Sequence, residues 1–196
     1  MRRLLTVVTL VLVVLYPFLI YWGLLHLEPR KLGLLLLVVV AMRIGTLPHF
    51  TWDRIVPLLP TVGTVAVVTV LVVSTNNKVM LLFYPVLLNI ALFLSFAWTL
   101  RKGPSMIERL ARLQEPDLDE NGQRYCRKVT YVWCGFFIAN AAMAATLVVY
   151  GTVAQWTLYN GVISYILMGT LMGGEWLYRK WKIEPQRRSS PSTTTS

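Results

Sequence analysis

The chain has 196 residues, 56% apolar and only 14% charged, with a formal net charge of +10 at pH 7. That charged fraction is far below the roughly 25% of an average globular protein, and the apolar residues come in runs too long for a buried core helix, which excludes a soluble domain. About 20 apolar residues cross the hydrocarbon of a bilayer, so the sequence predicts an all-α fold, a polytopic membrane helix bundle of about six transmembrane helices.

The first predicted span, Leu4–Leu25, has the basic start of a signal peptide. Its apolar run is too long and no A-x-A-like site follows, so it reads as an uncleaved helix. The second, Leu32–Leu47, is the weakest, because Arg43 falls inside it; an arginine near a helix end can snorkel to the headgroups. The third, Ile55–Val73, has Pro57 and Pro60 in its first turns, where a missing N–H costs little. The fourth, Val79–Leu100, contains Pro85, expected to kink it and free a carbonyl near Leu81.

A charged segment, 101–128, then holds 12 of the 28 charged residues. Gly103-Pro104-Ser105 ends one helix and starts another. In that helix Met106, Ile107, Leu110, Ala111 and Leu113 fall at helical spacing, with Glu108, Arg109 and Arg112 pointing elsewhere. Glu108 and Arg112 form an i,i+4 pair, and a short amphipathic helix tethered there is expected to lie in the membrane interface. "EPDLDENG" should turn the chain into the fifth span, Val129–Val149, and a turn near Gly151–Gln155 into the sixth, Trp156–Tyr178. No charge occurs from Val129 to Gly174. Residues 1–180 thus form one transmembrane domain including the loop, and 181–196, basic and rich in Ser and Thr, read as a disordered tail. No internal repeat suggests the inverted halves of a transporter.

By this topology sixteen of the nineteen basic residues fall on one side, and only Arg30, Lys31 and Lys78 on the other. Short cytoplasmic loops carry the Lys/Arg excess, so both termini and the loop should be cytoplasmic, in a bacterial inner membrane. The basic charge is then a topology signal, and the bilayer, not nucleic acid, is the expected partner. Cys126 and Cys134 have neither a metal-ligand spacing nor a reason to pair in a reducing compartment; they read as packing residues.

Polar groups within the spans are costly and so are the first candidates for a site. Asn89 and Asn140 both fall roughly 15 Å deep at 1.5 Å per residue, and two amides at one depth can hydrogen-bond across a helix pair. Holding the bundle together, at about 0.6 kcal/mol per contact, is favoured over a substrate site. Glu175 stands level with Arg101, Arg127 and Lys128, and an ion pair is its expected role. Ala141-x-x-x-Ala145 and Gly169-x-x-x-Gly173 permit close helix approach, within the chain or in a homo-oligomer. His26 and His49 fall on opposite faces, and His49 near Asp53 reads as an interfacial histidine. No catalytic, dinucleotide or phosphate-binding motif occurs, so no catalytic residue, cofactor or metal is expected.

The stretches "PSMIERLARLQEPDL", "YCRKVTYVWCGFFIAN", "WTLYNGVISYILMGTLMGGEW" and "YPVLLN", in roughly Tyr84 to Glu175, resemble an uncharacterised family of small bacterial inner-membrane proteins. Its genes tend to accompany aryl-polyene-type fatty acid and polyketide biosynthesis, with acyl carrier proteins, ketosynthases, acyltransferases and exporters. The matching residues are Glu108, Arg109, Arg112, Glu115 and Pro116 in the loop, and Asn89, Arg127, Thr130, Trp133, Phe137, Asn140, Asn160, Gly161 and Glu175 in the spans and at their ends. Trp133, Phe137 and Asn140 share one helix face and, with Asn89 and Asn160, are the candidate acyl-chain or aryl-headgroup contacts. Glu108, Arg109, Arg112, Glu115, Arg127 and Glu175 are the candidate docking or ion-pair residues. The resemblance implies an accessory protein for synthesis or transfer of an aryl-polyene-like lipid, docking acyl carrier protein or lipid-synthesis enzymes at a basic face. The alternatives are a small lipid or solute transporter with Asn89, Asn140 and Asn160 along a polar path and, more weakly, a membrane-bound transferase.

Overall fold

The computed structural model describes residues 59–113, 115–179 and 181, together with 18, 21–23, 26–29, 31–34 and 38. Arg43, His49, Asp53, most of the first two predicted spans and nearly all of the tail lie outside the described residues. Among the described residues the regular structure is helical, with no strand.

Helix α1 (Leu59–Thr75) occupies the third predicted span. Asn76 ends it in the left-handed region, φ 49°, with its amide donating to the Val72 carbonyl at 2.8 Å; asparagine tolerates that conformation because its side chain can bond locally. The Asn77 side-chain oxygen then accepts from the Val79 amide at 2.9 Å. The fourth span is two helices, α2 (Val79–Leu82) and α3 (Tyr84–Arg101), broken at Phe83 just ahead of Pro85. The break lies where proline chemistry puts it. Beside Leu81, the Leu82 carbonyl accepts from the Trp156 indole N–H at 3.0 Å.

The elbow helix α4 (Met106–Arg112) follows. Helix α5 (Glu120–Tyr150) starts well before Val129, so "ENG", expected in the turn, is its first turn. The Asp119 carboxylate caps it by accepting from the Gly122 amide at 2.9 Å, and acidic Asp119 and Glu120 suit the positive end of the helix dipole. At Gly151 a Cβ would sit 2.7 Å from the Leu147 carbonyl oxygen, so only glycine fits this chain reversal. Helix α6 (Val153–Leu158) continues through a π-helical turn (Tyr159–Ile163) into α7 (Ser164–Tyr178).

Two helical segments, Val79–Arg101 and Glu120–Tyr150, are long and apolar enough to cross a membrane. Helices α3 and α5 form the largest interface and run antiparallel, because Arg127 bonds Leu100 near one end while Asn140 bonds Asn89 farther along. Leu32, Val68, Val72, Leu81, Leu82 and Trp156 make a buried cluster where α1, α2 and α6 meet. Helix α7 is held less closely. Ser164, Tyr165, Met168, Leu171 and Glu175 are half-buried along one side, and none of its residues is fully buried. Of the two small-residue pairs, Ala141 is buried and Ala145 half-buried, whereas Gly169 and Gly173 face open space.

Candidate functional site: a buried polar seam and a pinned elbow

The two amides meet. Asn140 Nδ2 donates to Asn89 Oδ1 at 3.2 Å, and the Tyr159 hydroxyl donates to Asn140 Oδ1 at 2.9 Å. Asn89 Nδ2 also donates to the Pro85 carbonyl at 2.7 Å, one turn back on its own helix. Three helical segments are therefore joined through one buried amide.

Asn160 does not join this set: its Nδ2 donates to the Trp156 carbonyl at 2.9 Å, within its own helical run. Its neighbour Tyr159, which no spacing rule singled out, makes the contact instead. Phe137 is buried, edge-on to Phe96 with ring centroids 5.1 Å apart, and Trp133 is half-buried beside it, 5.7 Å from its ring. The face bearing Phe137 and Asn140 is thus bundle interior, and Trp133 is its more accessible member.

At the other end, α4 is pinned by side chains of α3 and α5. The Met106 amide donates to Thr99 Oγ1 at 2.9 Å and the Ile107 amide to Thr130 Oγ1 at 3.4 Å. Those hydroxyls in turn donate to the Phe96 and Cys126 carbonyls. Amides at a helix start lack partners within the helix, and here neighbouring helices supply them.

Glu108 was expected to point away from the packed side, yet it is only 7% exposed. Its carboxylate accepts from the Ser105 amide at 3.3 Å and from Arg112 Nε and Nη2 at 3.1 and 2.9 Å. Arg112 Nη1 reaches on to the Pro116 carbonyl at 3.2 Å. The pattern Ser105-x-x-Glu108 is the legible signal for this register, a capping box. The Ser105 hydroxyl, 1% exposed, lies in that arrangement without making a hydrogen bond of good geometry.

Glu175 accepts from the Tyr125 hydroxyl at 3.1 Å, and Tyr178 stacks on Tyr125 with centroids 6.0 Å apart. The expected ion pair of Glu175 with Arg101, Arg127 or Lys128 does not form; Arg127 Nη2 donates to the Leu100 carbonyl at 2.6 Å, closing the end of α3. Burial first, then the Glu175 carboxylate, hold the Tyr125 phenol above its ordinary range, which keeps it the donor in this pair. Arg109 and Glu115 are exposed, with Arg109 Nε on the Pro104 carbonyl at 3.0 Å. Among the described residues no group of His, Cys, Asp and Glu is arranged to hold a metal ion.

Fold and site together define an all-helical protein with two segments able to cross a membrane, tied by a polar seam and closed at one end by a pinned elbow. No family model, curated protein or solved structure matches the chain.

Proposed function

We propose that the chain is a six-span protein of the bacterial inner membrane, with both termini cytoplasmic, that assists synthesis or transfer of an aryl-polyene-like lipid. The start of α5, held in place by the elbow, is the docking surface for an acyl carrier protein or a lipid-synthesis enzyme. The observation that carries this reading is the elbow's construction. Its backbone is pinned by Thr99, Thr130 and Glu108, while Arg124, Arg127 and Lys128 project on the exposed side of α5. A rigid basic surface loses little freedom on docking, and its charge steers an acidic partner such as a carrier protein. The transporter alternative gains nothing from the seam, because Asn89 and Asn140 are engaged with each other and with Tyr159 and Pro85.

The test is lipid mass spectrometry on wild-type, gene-deleted and complemented cells, with carrier-protein binding to the purified chain at low and high salt. Loss of an aryl-polyene lipid or build-up of its precursor, and salt-sensitive binding, are expected. An unchanged lipid profile while the pathway is active would overturn the pathway assignment. Salt-indifferent binding would overturn the docking surface.

A further inference from the structure

Helix α4 turns its buried Glu108 carboxylate inward with half-buried Met106, Ile107 and Ala111, while its outward face carries Leu110, 53% exposed, and Leu113, 81% exposed, with Arg109 beside them. A face of that kind is stable against an apolar medium, and three features identify the medium.

Exposed side chains on α3 and its C-cap recur every fourth residue as Ile90, Leu94, Trp98 and Lys102, forming one outward stripe. It runs from aliphatic to indole to ammonium, the order in which side chains meet hydrocarbon, interface and headgroups. Lys102 Nζ lies 5.3 Å from the Trp98 ring centroid, so the headgroup level passes at the end of α3. The turn into α4 is tight as well. Gly103 has φ 84° and Arg109 Nε holds the Pro104 carbonyl, so α4 begins at that same level. Finally, the cations suit phosphate. A Cβ on Gly103 would lie 3.7 Å from Arg109 Nη2, which puts the guanidinium against the turn directly after Lys102.

We propose that α4 is a membrane-surface anchor. Leu110 and Leu113 enter the boundary between headgroups and acyl chains, and Lys102 and Arg109 hold the phosphate of an anionic phospholipid. The proposal rests on α3 and α5 crossing the membrane and not on carrier-protein docking, for which it leaves Arg124, Arg127 and Lys128.

The test uses the full chain in nanodiscs of mixed anionic and zwitterionic phospholipid. Leu113→Cys, Asp117→Cys and Leu94→Cys each carry an environment-sensitive fluorophore, and the parent chain, whose two cysteines are buried, gives the background. The Leu113 probe should be blue-shifted, quenched by shallow doxyl-lipid and shielded from iodide, with the Asp117 probe showing the opposite. If the Leu113 probe meets iodide as freely as the Asp117 probe while the Leu94 probe is lipid-quenched, the anchor is refuted and α4 faces water or a protein. If the Leu94 probe also meets iodide, the spanning reading itself fails, and the anchor with it. Lys102→Gln and Arg109→Gln should each lower the ratio of co-purified anionic to zwitterionic lipid, by about fivefold per charge. An unchanged ratio overturns the phosphate contact.

Discussion

Asn140→Leu separates a structural seam from a ligand site. Leucine has the same number of side-chain heavy atoms as asparagine and more volume, so the substitution opens no cavity. What it removes is the bond to Asn89 at 3.2 Å and the one from Tyr159 at 2.9 Å. Interhelical bonds in membranes average about 0.6 kcal/mol and reach about 1.7, because the unfolded helices also find partners. The expected loss is therefore about 1 kcal/mol, with a ceiling of about 3. Asn89→Leu removes one of those bonds and an intrahelical one to Pro85, and should cost about half as much. The double variant should show a coupling of about 0.6 kcal/mol. Reversible unfolding of the purified chain in mixed micelles, titrated with SDS and followed by circular dichroism, measures all four species. Strict additivity, or no loss in Asn140→Leu, would refute the seam as a source of stability. In cells the folded variant should keep its lipid product. A product lost at unchanged stability would instead make Asn140 a ligand contact.

Glu108→Ala should free the elbow, with faster hydrogen exchange over residues 105–113 and a loss of about 2 kcal/mol; Arg112, 38% exposed, can partly turn to water. Adding Arg112→Met should recover part of the loss, and no recovery would contradict the pairing. Trp156→Phe keeps a buried aromatic ring but drops the bond to Leu82 and should cost about 1 kcal/mol, against about 3–5 for Trp156→Ala; no loss in Trp156→Phe would show that the indole N–H does nothing. Gly103→Ala, with space for the methyl group but φ at 84°, should cost about 1 kcal/mol in thermal unfolding. Burial, then the Glu108 and Glu175 carboxylates, push the Cys126 thiol up, with Arg179 opposing. The thiolate is the nucleophile, so iodoacetamide should label Cys126 slowly at pH 8, faster as pH climbs past the thiol's ordinary range, and readily after denaturation. Labelling at the rate of an exposed cysteine at pH 8 would contradict this.

Local chemistry made several elements legible. Long uncharged runs marked the helices, Gly103-Pro104-Ser105 marked the start of the elbow, and Pro85 marked the break after α2. Equal depth also put Asn89 and Asn140 within reach of each other on antiparallel helices of equal rise, and the packing of α3 on α5 brings them together. Short-range signals were misread where two of them competed. "ENG" contains turn residues, yet Asp119 is a stronger helix start than Gly122 is a helix stop. In α4 the spacing grouped Glu108 with the charges turned away from the packed side, but capping buries it.

Composition and periodicity by themselves determined the helical class, the apolar segments and the elbow's position, because these depend on residues close in sequence. Only the tertiary structure decided that Tyr159 rather than Asn160 joins the seam and that Glu175 takes the Tyr125 phenol rather than an arginine. Each of those choices turns on helix rotation. Neighbouring helical positions point about 100° apart, and which of them meets another helix depends on contacts between segments far apart in sequence.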